Sequence, residues 1–201
     1  GVAHSYMQMA AEVATYYLLI EYCDGGDFEM LCRREEAVEN DVLGKLVGDA
    51  IMGLRAVYDA GLVHRDIKPE NVFIHQGTAK LADLGLAAKV DVTDSGGSVS
   101  FQGVAGTLSW MAPEQLEGGK GRVAAADAHY GRAVDVWSMG LTCMSVALAR
   151  QVTTTVVLQV AKREAIMKEV EERGRPLEFR ALCESMLQVE PGERPTPAEL
   201  C

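Results

Sequence analysis

The hydrophobic pattern changes period along the chain. Tyr16 to Cys23 reads YYLLIEYC, an aromatic and aliphatic run that predicts a buried strand, closed by the turn-forming Asp24-Gly25-Gly26-Asp27. From Val42 the apolar positions fall three and four apart, at Val42, Leu43, Leu46, Val47, Ala50, Ile51, Leu54, Val57 and Tyr58. That spacing predicts one long amphipathic helix, with Asn40 as its N-cap and Gly61 as its stop. Short strands are expected at Val72–Ile74 and Lys80–Ala82, joined by a hairpin turn over 75–78. Helical periods return over Asp135–Ala149, Val156–Glu172 and Leu177–Val189, and Pro191, Pro195 and Pro197 then interrupt the pattern. Val90 to Gly103 is rich in Ser, Gly, Asp and Thr and predicts an exposed, mobile loop; Gly118 to Gly131 is a second irregular stretch. A few strands followed mostly by helices, without an internal repeat, predict an α+β fold with a helical body.

Composition narrows the function classes. At 201 residues, 48% hydrophobic and 24% charged, the chain suits one domain, or one large lobe with a fragment of another. A net charge of −10 without a Lys/Arg run argues against nucleic acid as a partner and reads as a solvated surface. Cys23, Cys32, Cys143, Cys183 and Cys201 form no C-x-x-C pair and predict reduced, buried thiols rather than a disulfide framework. The longest apolar run, Leu141 to Ala149, is too short to cross a bilayer, and the N-terminus shows no secretory pattern. The expectation is an intracellular protein, cytoplasmic or nuclear, with no membrane association.

The chemistry-bearing residues follow the long helix. His64-Arg65-Asp66-Ile67-Lys68-Pro69-Glu70-Asn71 is followed by Asp83-Leu84-Gly85, then Ala112-Pro113-Glu114, Asp135-Val136-Trp137-Ser138-Met139-Gly140 and Arg194. A lone D-x-G tripeptide is weak, but the eight-residue run in this ordered series is specific. In order and spacing the series resembles the eukaryotic serine/threonine protein kinase family over nearly the whole chain.

That resemblance implies a mainly α-helical C-lobe over 24–201, with a catalytic loop at 64–71 and an activation segment at 83–114. Residues 1–23 would be a remnant of the N-lobe sheet and the hinge. It implies transfer of the ATP γ-phosphate to Ser/Thr hydroxyls of protein substrates. Asp66 would accept the substrate proton, Lys68 would place a cation near the transferring phosphate, and Asn71 and Asp83 would hold Mg²⁺. Thr107 is expected to bond near Asp66 and Lys68. The implied nucleotide-binding set is Glu21, Cys23, Asp27, Lys68, Glu70, Asn71 and Asp83, with Ile20 as gatekeeper, Glu21 to Cys23 as hinge and Asp27 near the ribose. His64 is expected to pack beneath Asp83, Asp135 to receive backbone N–H groups from the catalytic loop, and Glu114 to pair with Arg194. Trp137 is expected in the core. Arg65 would grip a phosphate placed on the activation segment by an upstream kinase, at Ser100 ahead of Thr93, Ser95 and Ser98.

The sequence departs from the family pattern in places. Nothing before the hinge matches G-x-G-x-x-G or a V-A-I-K strand, and Gly118-Gly119-Lys120-Gly121 follows Glu114 with no strand before it. The first expectation is therefore a fragment of a longer kinase. A kinase-like binding or scaffold module with impaired catalysis, or a lobe completed by another chain, stay open. Exposed apolar surface is then expected around Tyr17 and Leu19. Leu84 stands where the family usually has Phe and is expected to pack similarly. The run after Gly140 lacks the usual G-x-x-P-F.

Overall fold

The computed structural model describes residues 4–10, 13–89, 107–117 and 128–201. Its first elements are two strands, β1 (His4–Ala10) and β2 (Val13–Leu19), paired antiparallel from His4↔Leu19 to Ala10↔Val13. The strand expected at Tyr16–Cys23 therefore starts earlier and ends at Leu19. Ile20 to Cys23 run without a strand partner, and Tyr17, Leu18, Leu19, Ile20 and Tyr22 are exposed. Hydrophobicity marked this segment, but burial needs a surface to pack on, and the described residues offer none here.

After α1 (Phe28–Cys32) comes the long helix α2 (Asn40–Asp59). Its buried face is Leu43, Leu46, Val47, Ala50, Ile51 and Leu54, as the three-and-four spacing predicts. Gly61, just beyond its C-cap, takes φ +73°, the left-handed position a β-carbon disfavours. Asn40 does not cap the helix; it is the first helical residue, and Glu39 precedes it without a side-chain cap. The Asn40 amide instead donates to Gly174 O at 2.9 Å and accepts from the Arg175 guanidinium at 2.7 Å.

β3 (Leu62–Val63) pairs with β6 (Ala88–Lys89), and β4 (Val72–His75) pairs with β5 (Thr78–Leu81), each antiparallel. The β4–β5 turn is Gln76-Gly77, both at positive φ, as a two-residue hairpin turn matching strand twist requires. The helical body follows with α3 (Pro113–Glu117), α4 (Ala128–Leu148), α5 (Thr154–Val157), α6 (Val160–Glu172) and α7 (Leu177–Met186). The helix expected over Val156–Glu172 is two helices, broken at Leu158-Gln159, where Gln159 is extended. The helix expected from Asp135 starts seven residues earlier, and the last one ends at Met186 instead of Val189.

Helix α4 runs through the centre of this body. Val136, Trp137, Met139, Leu141, Met144 and Leu148 are all buried, so it is apolar on every face. Its buried hydroxyls are satisfied: Thr142 and Ser145 donate to Ser138 O and Leu141 O within the helix at 2.8 Å each, and Ser138 shares its hydrogen between Val134 O at 3.1 Å and Trp110 O at 2.8 Å. Cys32, Cys143 and Cys183 are free and buried, whereas Cys23 is partly exposed and Cys201 exposed. Among the described residues no helix is long and apolar enough to cross a membrane.

Candidate active site

The loop from His64 to Lys68 leaves β3 in a shape that the central helix dictates. Asp135 of α4 is buried, and its two carboxylate oxygens accept from the backbone N–H of His64 at 2.6 Å and of Arg65 at 2.8 Å. Arg65 itself takes the left-handed conformation, φ +69°, as the chain turns toward Asp66. Burial pushes the Asp135 carboxyl up to about 6, against the pull of those two amides. The fully buried His64 ring joins the loop to the strand end. Nε2 lies 2.9 Å from Ala82 O, which can only accept, so Nε2 carries the proton and Nδ1 faces Asp66 N at 3.4 Å.

Four of the sequence-predicted residues meet through their side chains. Asp66 Oδ1 accepts from both the backbone N–H and the hydroxyl of Thr107, each at 3.1 Å. Asp66 Oδ2 faces Lys68 Nζ at 2.9 Å and accepts from Asn71 Nδ2 at 3.0 Å. Lys68 Nζ also donates to Thr107 Oγ1 at 3.0 Å, so carboxylate, ammonium and hydroxyl close a triangle. Burial pushes the Asp66 carboxyl up, but Lys68, Thr107 and Asn71 together outweigh it and hold it below the usual carboxylate range. It is therefore an ionised acceptor at neutral pH.

Asn71 connects this cluster to Asp83. Its Nδ2 donates to Asp66 O at 2.7 Å as well as to Oδ2, which fixes the amide orientation and turns Oδ1 away. Its main-chain carbonyl accepts from Ala82 N at 2.9 Å, one residue before Asp83. Asp83 is exposed and left-handed (φ +61°), and its carboxylate accepts from Gly85 N at 3.2 Å. An amide oxygen and an exposed carboxylate on neighbouring segments are hard donors that fit Mg²⁺ and leave room for water and phosphate. Among the described residues no group of three or more His, Cys, Asp or Glu could hold a metal ion.

Other predicted residues are placed apart from this cluster. Glu21, Cys23 and Asp27 lie on the segment before and at α1, which is bonded to the β4–β5 hairpin. Gly25 N donates to Ile74 O and Ile74 N to Gly26 O, at 2.9 and 2.8 Å. Asp27 caps α1, its Oδ1 accepting from Met30 N at 2.8 Å. Glu70 has one carboxylate oxygen buried without a hydrogen-bond partner. Leu84 does not pack as expected: it is half exposed, because the turn over Leu84–Leu86 carries no buried residue. Arg65 Nε donates to Leu86 O at 2.6 Å. Thr93, Ser95, Ser98 and Ser100, the loop expected over Val90–Gly103 and most of Gly118–Gly131 lie outside the described residues.

Glu114 and Arg194 form a two-pronged ion pair at 2.7 and 2.9 Å. The guanidinium is wholly buried and also donates to Gln188 O, Ala133 O and Val189 O, so it binds α3, α4 and the end of α7 together. Sequence reasoning missed what secures Trp110 and Met111 beside Thr107. Ser138 Oγ donates to Trp110 O at 2.8 Å, and Thr154 Oγ1 donates to Met111 O at 2.6 Å while accepting from Trp137 Nε1 at 3.0 Å. Ser138 sits inside a recognisable run; Thr154 carries no sequence signal, since a threonine 43 residues from its partner looks like any other.

Comparison with known proteins agrees with this geometry. Residues 4–201 match the protein kinase domain. Serine/threonine-protein kinase TAO3 of Homo sapiens is 30% identical over 192 residues, covering 92% of this chain and 20% of that protein. TAO1-A of Xenopus laevis is likewise 30% identical, covering 92% of this chain and 18% of that protein. Serine/threonine-protein kinase KIC1 of Saccharomyces cerevisiae is 33% identical over 132 residues, 65% of this chain and 11% of that protein. The chain thus spans a fifth or less of the length of these curated relatives. The buried Asp135 anchor, the Asp66–Lys68–Thr107–Asn71 cluster and the extent of the match place this chain in the protein kinase domain family.

Proposed function

We propose that this chain supplies the phosphotransfer floor of a serine/threonine protein kinase. Residues 24–201 act as the C-lobe, and residues 1–23 as part of the N-lobe sheet and hinge. The observation that carries the reading is the closed contact set of Asp66, Lys68 and Thr107, with Asn71 on the second carboxylate oxygen. An ionised Asp66 accepts a hydrogen bond from a substrate Ser or Thr hydroxyl and orients its oxygen in line with the ATP γ-phosphorus. As the new P–O bond forms and the bond to ADP breaks, the hydroxyl proton passes to an Asp66 oxygen. Lys68 balances the charge of the transferred phosphoryl group. Thr107 keeps Asp66 and Lys68 in register, and suits a substrate backbone lying across Thr107 to Met111.

Asn71 Oδ1 and Asp83 would hold Mg²⁺, which neutralises phosphate charge when bound. The main chain of Glu21 and Cys23 would meet the adenine edge. Asp27, with one oxygen used in capping α1, has the other for the ribose, and Glu70, the neighbour of Asn71, completes the proposed nucleotide-binding set. Arg65 would take a phosphate on the segment 83–114, Ser100 first, added by an upstream kinase. ATP–Mg²⁺ binding by calorimetry, followed by phosphate transfer to a generic Ser/Thr protein substrate, tests the proposal. Asp66→Asn should retain nucleotide binding and lose transfer by about 10²-fold or more. Tight binding with no transfer in this chain, and transfer in a longer chain with upstream residues restored, would point to a fragment; binding with no transfer in either would favour the impaired binding-module reading.

A further inference from the structure

The ion pair of Glu21 with Lys80 joins two parts of the molecule 59 residues apart in sequence. Lys80 Nζ donates to both carboxylate oxygens of Glu21, at 2.7 Å each, so the contact is two-pronged and restricts both side chains. A second contact lies beside it. Asp24 Oδ1 accepts from Gln76 N at 3.0 Å and stands 3.2 Å from His75 Nδ1, while His75 Nε2 is 3.9 Å from Glu21. Lys80 pairs across the sheet with Phe73, and Phe73 forms a bridge with Asp27. The segment 21–27 is thus fastened to one hairpin at its start, middle and end. Strand β5, which carries Lys80, leads in three residues to Asp83, and β4 begins immediately after Asn71.

We infer that Lys80, with Asp24 and His75 in support, is a positioning residue that holds the Glu21–Asp24 segment at a set distance from the Asn71–Asp83 end of the site. The inference rests on the nucleotide reading above in one respect: a two-ended ligand must span both segments. Adenine would be met at Glu21–Cys23, and phosphates at Asn71 and Asp83. A rigid hairpin between them presets that span before the ligand arrives, which saves ordering on binding. The Lys80 hydrogen bond also holds the Glu21 carboxyl below its ordinary range. The opposing case is that half-exposed pairs often contribute nothing measurable; the two-pronged geometry and the adjoining Asp24 contacts distinguish this one.

Two measurements on the full chain decide it. The first is amide hydrogen exchange at Gly25, Ile74 and Gln76, whose N–H groups bond between the segment and the hairpin, and it needs no ligand. Lys80→Met keeps the apolar stem, and should raise exchange there about tenfold while leaving α2 and α4 unchanged. The charge-reversed pair Glu21→Lys with Lys80→Glu should restore protection. The second is calorimetric affinity for ATP–Mg²⁺ and for adenosine alone. Lys80→Met should weaken ATP–Mg²⁺ about tenfold and adenosine less than about twofold, because only the longer ligand reports the span. Lys80→Arg should behave as the unaltered chain. Unchanged exchange in Lys80→Met, or an equal loss of affinity for both ligands, overturns the positioning role. If the unaltered chain binds neither ligand, the nucleotide reading of the site falls and the positioning claim falls with it; whether Lys80 fastens the segment is then still decided by exchange alone.

Discussion

Asp135 shows how one side chain sets the shape of the site from beneath. Its carboxylate accepts two adjacent amides, and the loop bearing Asp66 can take no other path without leaving them unpaired in the interior. Asp135→Asn presents an NH₂ group to one of those amides and leaves a buried donor unsatisfied. The expected loss of stability is about 1–3 kcal/mol at neutral pH, read from urea denaturation. The pH dependence has a definite sign. Burial raises the folded-state value from 3.8 to about 6, so protonation favours the folded chain. The contribution of this carboxyl is fully present below about pH 3.8 and is lost as the pH rises to about 6. The stability margin of the unaltered chain over Asp135→Asn should therefore narrow between those values and stay level above them. A margin that widens over the same interval contradicts the assignment. Asp66 behaves oppositely, being held ionised by Lys68, Thr107 and Asn71. Two carboxylates within one short region thus serve different ends because one is buried under amides and the other stands beside an ammonium.

At the scale of elements, α4 and α7 meet closely at Gly140. A β-carbon on Gly140 would meet Met186 Cβ at 3.0 Å and Leu187 at 3.1 Å. Gly140→Ala forces these helices apart and should cost about 1–3 kcal/mol, seen as a lower melting temperature without loss of helical signal. Gly77 differs: a β-carbon there would meet no atom within 4 Å, so only its φ of +72° resists substitution. Helical periodicity in the sequence revealed α2 and the six residues it buries, but Val42 on the same period is exposed and Val57 and Tyr58 are only partly buried. It failed at Leu158-Gln159, where α5 ends and α6 begins on the same apolar period, because a change of direction leaves no mark when both helices bury the same kind of residue. It also failed at Asn40, a good capping residue in isolation whose amide is claimed by Gly174 and Arg175 from a turn more than 130 residues away.

At the scale of the whole molecule, Arg194 gathers α3, α4 and the end of α7 around one buried charge. Glu114→Ala leaves that guanidinium uncompensated and should cost on the order of 3–5 kcal/mol, measured by chemical denaturation. Glu114→Gln keeps the shape and part of the hydrogen bonding, and should cost less. The segment bearing Thr107 is fixed by three elements at once: Asp66 below, Ser138 on α4 and Thr154 at the start of α5. Separation of Thr107 from Asp66 in Glu114→Ala, detected as lost exchange protection at the Thr107 amide, would show that the distant ion pair also supports the candidate site.

The amino-acid sequence by itself determined the family, the residue types of the candidate site and the face that α2 buries. These depend on short spacings and local periods, which a linear chain displays directly. The tertiary structure decided which donors meet which acceptors wherever the family resemblance implied no pairing. The Glu21–Lys80 and Trp137–Thr154–Met111 contacts join distant residues, and no local pattern distinguishes their members from ordinary polar side chains. It also extended the exposure expected around Tyr17 and Leu19 to Leu18, Ile20 and Tyr22, because burial is a property of the surface a segment meets and not of the segment.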